Sequence, residues 1–295
     1  MKIGYVAKHD SGGNDDEGAI VFALEKLGHK VERLREVKGS VAHRLNCDFL
    51  LFHHWNDPES LSRVKVPRCF WNFDLVTYPD PTLKERNNRR VQWMNAITPL
   101  VDVGFCTDGD WVKQDTTGKL VRLTQGADER YVGRGQPKYP NVPPILFTGT
   151  HRGGGQGREA FVRHMQKRWG GQFMQVNGQH QRDLADFIAS AQVCVAPDHP
   201  ATDDYWSNRV YLTAGFGGCL LHPKCESLTT QYTVNSEIVL YESIEEFDDK
   251  LTYLLNTTET VAEIGQAAYE RTVKDHLYRH RCEVLVQTMK ERCDL

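Results

Sequence analysis

The same order of segments opens the chain twice, and this restart narrows the folds available to it. Ile3 to Val6 is a short apolar run, and the polar loop from Lys8 to Glu17 follows it. Ala19, Ile20, Ala23, Leu24 and Leu27 then recur at helical spacing, Gly28 closes the helix, and Lys30 to Leu34 supplies a second strand. The second half begins alike, with the strand Ile145–Thr148, the glycine-dense loop Gly149–Arg158 and a helix from about Glu159 to Arg168. Strand, loop, helix and strand in this order make a Rossmann-type βαβ opening. Two such openings in 295 residues predict an α/β chain of two Rossmann-like domains.

Within the first half, three apolar strands each end in a polar cluster. Phe49–Phe52 runs into His53, His54, Trp55, Asn56 and Asp57; Arg68–Phe73 runs into Asp74; Val103–Cys106 runs into Thr107 and Asp108. Ligands of open parallel sheets bind at the carboxyl ends of the strands, so His54, Asp74 and the first loop are expected on one rim. That loop carries Gly12, Gly13, Asp15 and Asp16 but no Gly-x-Gly-x-x-Gly, so it is no dinucleotide fingerprint. Each of its aspartates reads equally as a helix cap. The charged segment Pro79–Asn95 is either a solvated helix or a basic wall for an anionic acceptor, and the spacing leaves both open.

The stretch rich in glycine and proline from Gly133 to Pro144 reads as a linker, dividing an N-terminal domain (1–130) from a second (145–275) and a terminal helix (276–295). After it, the glycines of the 149–157 loop let backbone amides approach a phosphate, with Arg152 and Arg158 adding charge. The alternative is a surface turn. Further on, Tyr205–Pro223 passes from Ser207, Asn208 and Arg209 through about two helical turns to Gly217-Gly218 and the apolar run Cys219–Leu221. Helix amides and a fixed cation there suit an anion such as a diphosphate. The plainer reading is a capped helix with Arg209 on a solvated face.

Composition excludes several classes. A net charge of −3 gives no global basic signature, and no run of about 18 apolar residues predicts a membrane span. The N-terminus turns polar too soon for a signal peptide, so a cytoplasmic protein is expected. Eight scattered cysteines without a Cys-x-x-Cys pair read as buried free thiols.

The run Ser207-Asn208-Arg209, an aromatic, small residues and Gly217-Gly218 before an apolar strand resembles the donor-site helix of GT-B glycosyltransferases. It is most similar to the branch of CgeB-like, family 1-like proteins. Gly126-Ala127-Asp128 and the ending from His276 to Arg281 are also similar to that superfamily. The resemblance is strongest over 145–285. It implies two domains facing across a cleft, with the last helix crossing back to the first domain, and no metal or other cofactor. It also implies a donor site of Gly149, Arg152, Gly153, Arg158, Ser207, Asn208 and Arg209, and an acceptor side with Gly12, Gly13 and Trp71. The chain departs from the pattern at Leu212, where relatives usually hold the ribose with a glutamate; Asp198, Asp203 and Asp204 are candidate substitutes.

Sugar transfer from a nucleoside diphosphate, UDP above all, needs the leaving diphosphate stabilised and the acceptor hydroxyl deprotonated or guided. Asp74, His54, Asp15 and Asp16 are the candidates for the second task. The acceptor is a glycan, a small molecule or hydroxymethylated DNA; Arg86, Arg89, Arg90, Trp71 and Trp93 would form the contact surface for DNA. A catalytically inactive protein of the same fold is the remaining reading, favoured by Leu212.

Overall fold

A computed structural model describes residues 1–9, 15–35, 45–53, 58–78, 80–150, 155–197 and 202–295. In chain order the elements are β1 (Lys2–Val6), α1 (Asp16–Lys26), β2 (Lys30–Leu34), β3 (Phe49–Phe52), α2 (Pro58–Ser62), β4 (Arg68–Asn72), α3 (Lys84–Ile97), β5 (Val103–Cys106), α4 (Gly109–Val112) and β6 (Leu120–Arg122). There follow β7 (Ile145–Thr148), α5 (Gly155–Trp169), β8 (Phe173–Val176), α6 (Gln181–Ser190), β9 (Val193–Val195), α7 (Arg209–Gly215) and β10 (Leu220–Pro223). β11 (Val239–Tyr241), α8 (Ile244–Asn256), α9 (Thr258–Asp275) and α10 (Tyr278–Cys293) complete the chain. Two compact units result, one of Met1–Tyr78, Lys84–Gln125 and Tyr278–Leu295, the other of Pro79–Leu83 and Gly126–Leu277.

The first unit holds a six-stranded parallel sheet in the order β2-β1-β3-β4-β5-β6, with Ile3 beside both Val31 and Phe49. Its central strands are apolar throughout because helices cover both faces. Phe49 and Leu51 point to the face covered by α1 and α10, where Ile20, Leu24, Tyr278, Cys282 and Leu285 pack. Leu50 and Phe52 point to the other, against Leu61 of α2 and Met94 and Ile97 of α3. The last helix is thus part of the first unit's core.

The second unit repeats the plan with five parallel strands, β11-β10-β9-β7-β8. Ile145, Phe147, Val193 and Leu221 meet Phe161, Met165, Phe247 and Leu251 of α5 and α8. Leu146, Cys194 and Leu220 meet Leu184, Val210, Tyr211 and Ala268 of α6, α7 and α9. The chain runs outward from β7 to β8 and then returns to β9 on β7's other side. The sheet therefore reverses direction between β7 and β9, and the crevice at the carboxyl ends of those strands is where open α/β sheets bind ligands. Among the described residues all eight cysteines are free and none lies in a disulfide. No helix among them is long and apolar enough to cross a membrane.

Candidate active site

At the reversal point of the second unit, β7 ends on a built arginine site. Arg209, the first residue of α7, donates from Nε to the Thr148 carbonyl at 2.7 Å and from Nη1 to Ser207 Oγ at 3.2 Å. Its guanidinium lies 5.1 Å from the centroid of the Phe147 ring, a cation–π arrangement that fixes the plane of the cation. Gly149 makes room for it. Its φ is +137°, and a Cβ there would stand 2.8 Å from Arg209 Nη2. The glycine is pinned in turn, its N–H bonded to the Val176 carbonyl and its own carbonyl to Gln175 Nε2, both at 2.7 Å. Arg158, on the first turn of α5, reaches back to the Thr150 carbonyl at 3.3 Å.

Of the residues singled out in the sequence, Gly149 follows β7, Arg158 lies on the first turn of α5, and Ser207 and Arg209 stand at the start of α7. One point needs correction. Ser207 and Asn208 were expected inside the helix's first turn, but α7 begins at Arg209, with Asn208 at the capping position in helical φ/ψ. The Val210 and Leu212 amides are taken by the Ser207 and Asn208 carbonyls, at 3.2 and 3.0 Å. In a seven-residue helix so arranged, the guanidinium rather than a helix dipole supplies the positive charge. Leu212 is half-buried against the apolar core around α7, so it is a packing residue. Arg152, Gly153 and Asp198 lie outside the described residues.

Beside this point, at the ends of β9, β10 and β11, a cavity of about 750 Å³ opens; Asp203, Lys224, Tyr241 and His164 are among its lining residues. His164 Nε2 is 3.0 Å from Asp248 Oδ1, which also accepts from the Trp169 indole N–H at 3.1 Å. Asp203 lines this cavity, and its backbone carbonyl accepts from the N–H and Oγ of Ser227, both at 3.0 Å.

The first unit's rim differs from expectation in several places. Trp71 is fully buried, its indole N–H on the Leu123 carbonyl at 3.1 Å and its ring edge-on to Phe73 and Tyr278. It belongs to the core, with no face for an acceptor. Asp74 is paired with Arg90 at 2.6 Å, which holds the carboxylate as a counter-ion rather than an idle base. Asp15 caps α1 through the Gly18 N–H at 2.8 Å. Asp16 accepts from the Tyr278 hydroxyl at 2.8 Å and from Gln125 Nε2 at 3.3 Å, so both its oxygens tie α1 to neighbouring segments of the unit. His54, Gly12 and Gly13 lie outside the described residues. The DNA-contact aromatics are likewise in packing roles, Trp93 standing edge-on to Phe70 and the guanidiniums of Arg86 and Arg90 stacking on Tyr78.

What sequence reasoning missed is His53. It is buried, and Nδ1 sits 2.6 Å from the Trp71 carbonyl. A carbonyl can only accept, so Nδ1 carries the proton and Nε2 is the ring's basic nitrogen in its neutral form. Phe73 packs on the ring at 4.2 Å and Tyr5 meets it at 5.4 Å. Its burial follows the two-residue period, since His53 continues the Phe49–Leu51 face of β3. Nearby, burial pushes the Tyr5 phenol well above its ordinary value, and Glu17 adds to the effect. Burial also raises the Asp108 carboxyl, although the Val76 and Trp111 N–H groups bond to it at 2.9 and 3.1 Å. Among the described residues no group of three or more His, Cys, Asp or Glu side chains could hold a metal ion.

Residues 152–287 match a family model described as glycosyl transferase-like. Among solved structures, sucrose-phosphate synthase from Thermosynechococcus elongatus superposes with a TM-score of 0.74 at 12% identity, covering 99% of this chain and 98% of that one. The Anabaena protein HepE, in complex with UDP-glucose, gives 0.66 at 11% identity, covering 99% of this chain and 100% of that one. A glycosyltransferase from Rickettsia africae gives 0.65 at 11% identity, covering 99% and 98%. No curated protein matches the chain by sequence. The two parallel sheets and the likeness to these structures give the chain the GT-B fold. The segment similar to the glycosyl transferase-like family runs from the glycine loop into α10.

Proposed function

We propose that the protein transfers a sugar from a nucleoside diphosphate, UDP first among the candidates, to an acceptor hydroxyl without a resident metal. The observation that carries this reading is Arg209, locked by Thr148, Ser207 and Phe147 at the reversal point of the second sheet, with Gly149 left bare beside it. When the bond from the sugar's anomeric carbon to the diphosphate oxygen breaks, charge builds on that oxygen. A cation already fixed in place stabilises it without reorganising, which is ordinarily the largest single contribution in such sites. Arg158 adds a second positive group, and Asp203 is our candidate for the ribose hydroxyls in place of the glutamate that Leu212 displaces. As the acceptor oxygen bonds to the anomeric carbon its proton must leave, to a base or to water. HepE, whose structure holds UDP-glucose, supports UDP as the first donor to try.

For the acceptor, a glycan or a small molecule ranks ahead of hydroxymethylated DNA, because Trp71 and Trp93 are occupied in packing; Lys84 and Arg89 remain exposed. The test is calorimetry of the full chain with UDP, GDP, ADP and TDP, with and without EDTA. Micromolar binding of one nucleotide, indifferent to EDTA and weakened at least tenfold in Arg209→Ala, is the expected result. Binding of none, or equal binding by Arg209→Ala, would overturn the reading.

A further inference from the structure

The opposite rim of the second sheet, where its strands begin, holds a cavity of about 630 Å³ that the transfer reaction does not use. Pro144, Gln192 and Cys219, the residues just before β7, β9 and β10, all line it. Ile188, Phe216 and Val261 contribute apolar wall. Its volume lies in the range of small-molecule sites.

Charge decides what it would hold. Among the described residues lining the cavity Arg134 alone is charged, and none is a carboxylate. The arginine is placed rather than loose. Arg182 Nη2 bonds to its carbonyl at 2.8 Å, and its own Nη1 meets Gln266 Oε1 at 3.2 Å. Its stem lies across Gly217, whose φ is +78°, so closely that a Cβ on the glycine would come within 2.8 Å of Arg134 Cγ. A hollow with an apolar side and one guanidinium at its wall complements a molecule with an apolar body and a single anionic head.

We propose that this cavity is a second binding site, for a small organic anion whose carboxylate or phosphate pairs with Arg134 and whose apolar body packs on Ile188, Phe216 and Val261. The site has a built-in route to the donor. Phe216 and Gly217 follow directly on α7, whose first residue is Arg209, and a seven-residue helix spans only about 10 Å. An occupant that shifts the Gly217 turn therefore shifts the arginine at the other end. This consequence, unlike the site itself, rests on the donor assignment above.

Calorimetry on the full chain tests both. The probes are octanoate and phenyl phosphate, which separate a carboxylate from a phosphate head, with octanol and phenol as uncharged counterparts. At least one anion should bind, and the alcohol and phenol should not. Arg134→Ala should weaken the anion by about tenfold or more, the loss of one charge-assisted contact. Ala262→Trp, on an exposed position of α9 that lines the cavity, should block it by filling the space; unchanged near-UV circular dichroism would certify its fold. Arg209→Ala should leave the anion's affinity intact. No binding by either anion, equal binding of the uncharged probes, or anion affinity unmoved by both cavity variants would each overturn the site. A UDP affinity indifferent to saturating anion would overturn the coupling. Anion binding without any nucleotide binding would refute the donor reading and leave this site standing.

Discussion

Alanine at Gly149 probes the proposed donor site without removing any polar group. Two costs can be worked from the geometry. The backbone sits at φ +137°, where an L side chain is strained by roughly 1–3 kcal/mol. The new Cβ would stand 2.8 Å from Arg209 Nη2, against a comfortable contact of about 3.5 Å. The guanidinium must therefore retreat by about 0.7 Å. Its Ser207 contact, already 3.2 Å, lies at the long edge of hydrogen bonding and would be the first to go. Loss of one well-aimed charge-assisted bond to the diphosphate costs about 1.5–3 kcal/mol, or roughly ten- to 150-fold in affinity. Calorimetry with UDP on wild type, Gly149→Ala, Arg209→Ala and the double variant forms a thermodynamic cycle. If Gly149 acts by making room for Arg209, the alanine should cost affinity in wild type and almost nothing once Arg209 is gone. An equal loss in both backgrounds, or no loss in wild type, refutes the reasoning.

Other outcomes follow from the same geometry. Tyr278→Phe removes the hydroxyl that bonds to Asp16; urea denaturation should show a loss of about 1 kcal/mol, and donor affinity should not change. Burial raises the Asp108 carboxyl above its ordinary 3.8, so the fold takes up its proton more readily than the unfolded chain does. That stabilising contribution is complete below pH 3.8 and is lost as pH rises through the folded value, a dependence that Asp108→Asn should flatten in urea melts across pH 3–6. Burial pushes the Cys106 and Cys219 thiols up to about 12, so a thiol reagent at pH 8 should label the half-buried Cys47 and Cys293 first and the other six only on unfolding.

Much of the architecture was legible because its signals are local. Ile145–Thr148 and Phe49–Phe52 are short apolar runs between turn residues, and they are strands over those same residues. Residue type singled out Gly149 and Arg209 but left a surface turn and a solvated arginine open; what brings the two together is the close approach of the guanidinium to a glycine at positive φ. The first unit's rim was harder. Whether Asp15, Asp16 or Asp74 is idle depends on partners distant in sequence or on the far side of a turn, and the sequence alone does not announce them. Asp16 is occupied by Tyr278, 262 positions away. Trp71 reads as a surface aromatic next to a polar cluster until β5 and α10 close over it. The start of α7 was placed two residues early because Ser207 is a strong capping type, yet here it bonds the side chain of Arg209 instead.

The return of α10 to the first unit also sets an order of assembly. Tyr278, Cys282, Leu285 and Met289 are core residues of a sheet whose last strand ends at Arg122. During synthesis, everything the second unit needs has been made before these side chains exist. At about 5–20 residues per second, the interval from Gln125 to Tyr278 is roughly 8–30 seconds. Through that time the apolar face of β1, β3, β4 and β5 opposite α3 has α1 but lacks α10. A nascent first unit is therefore an unfinished body that a chaperone would meet with Phe49, Leu51 and Trp71 incompletely covered. The second unit, made later, is the first that can close.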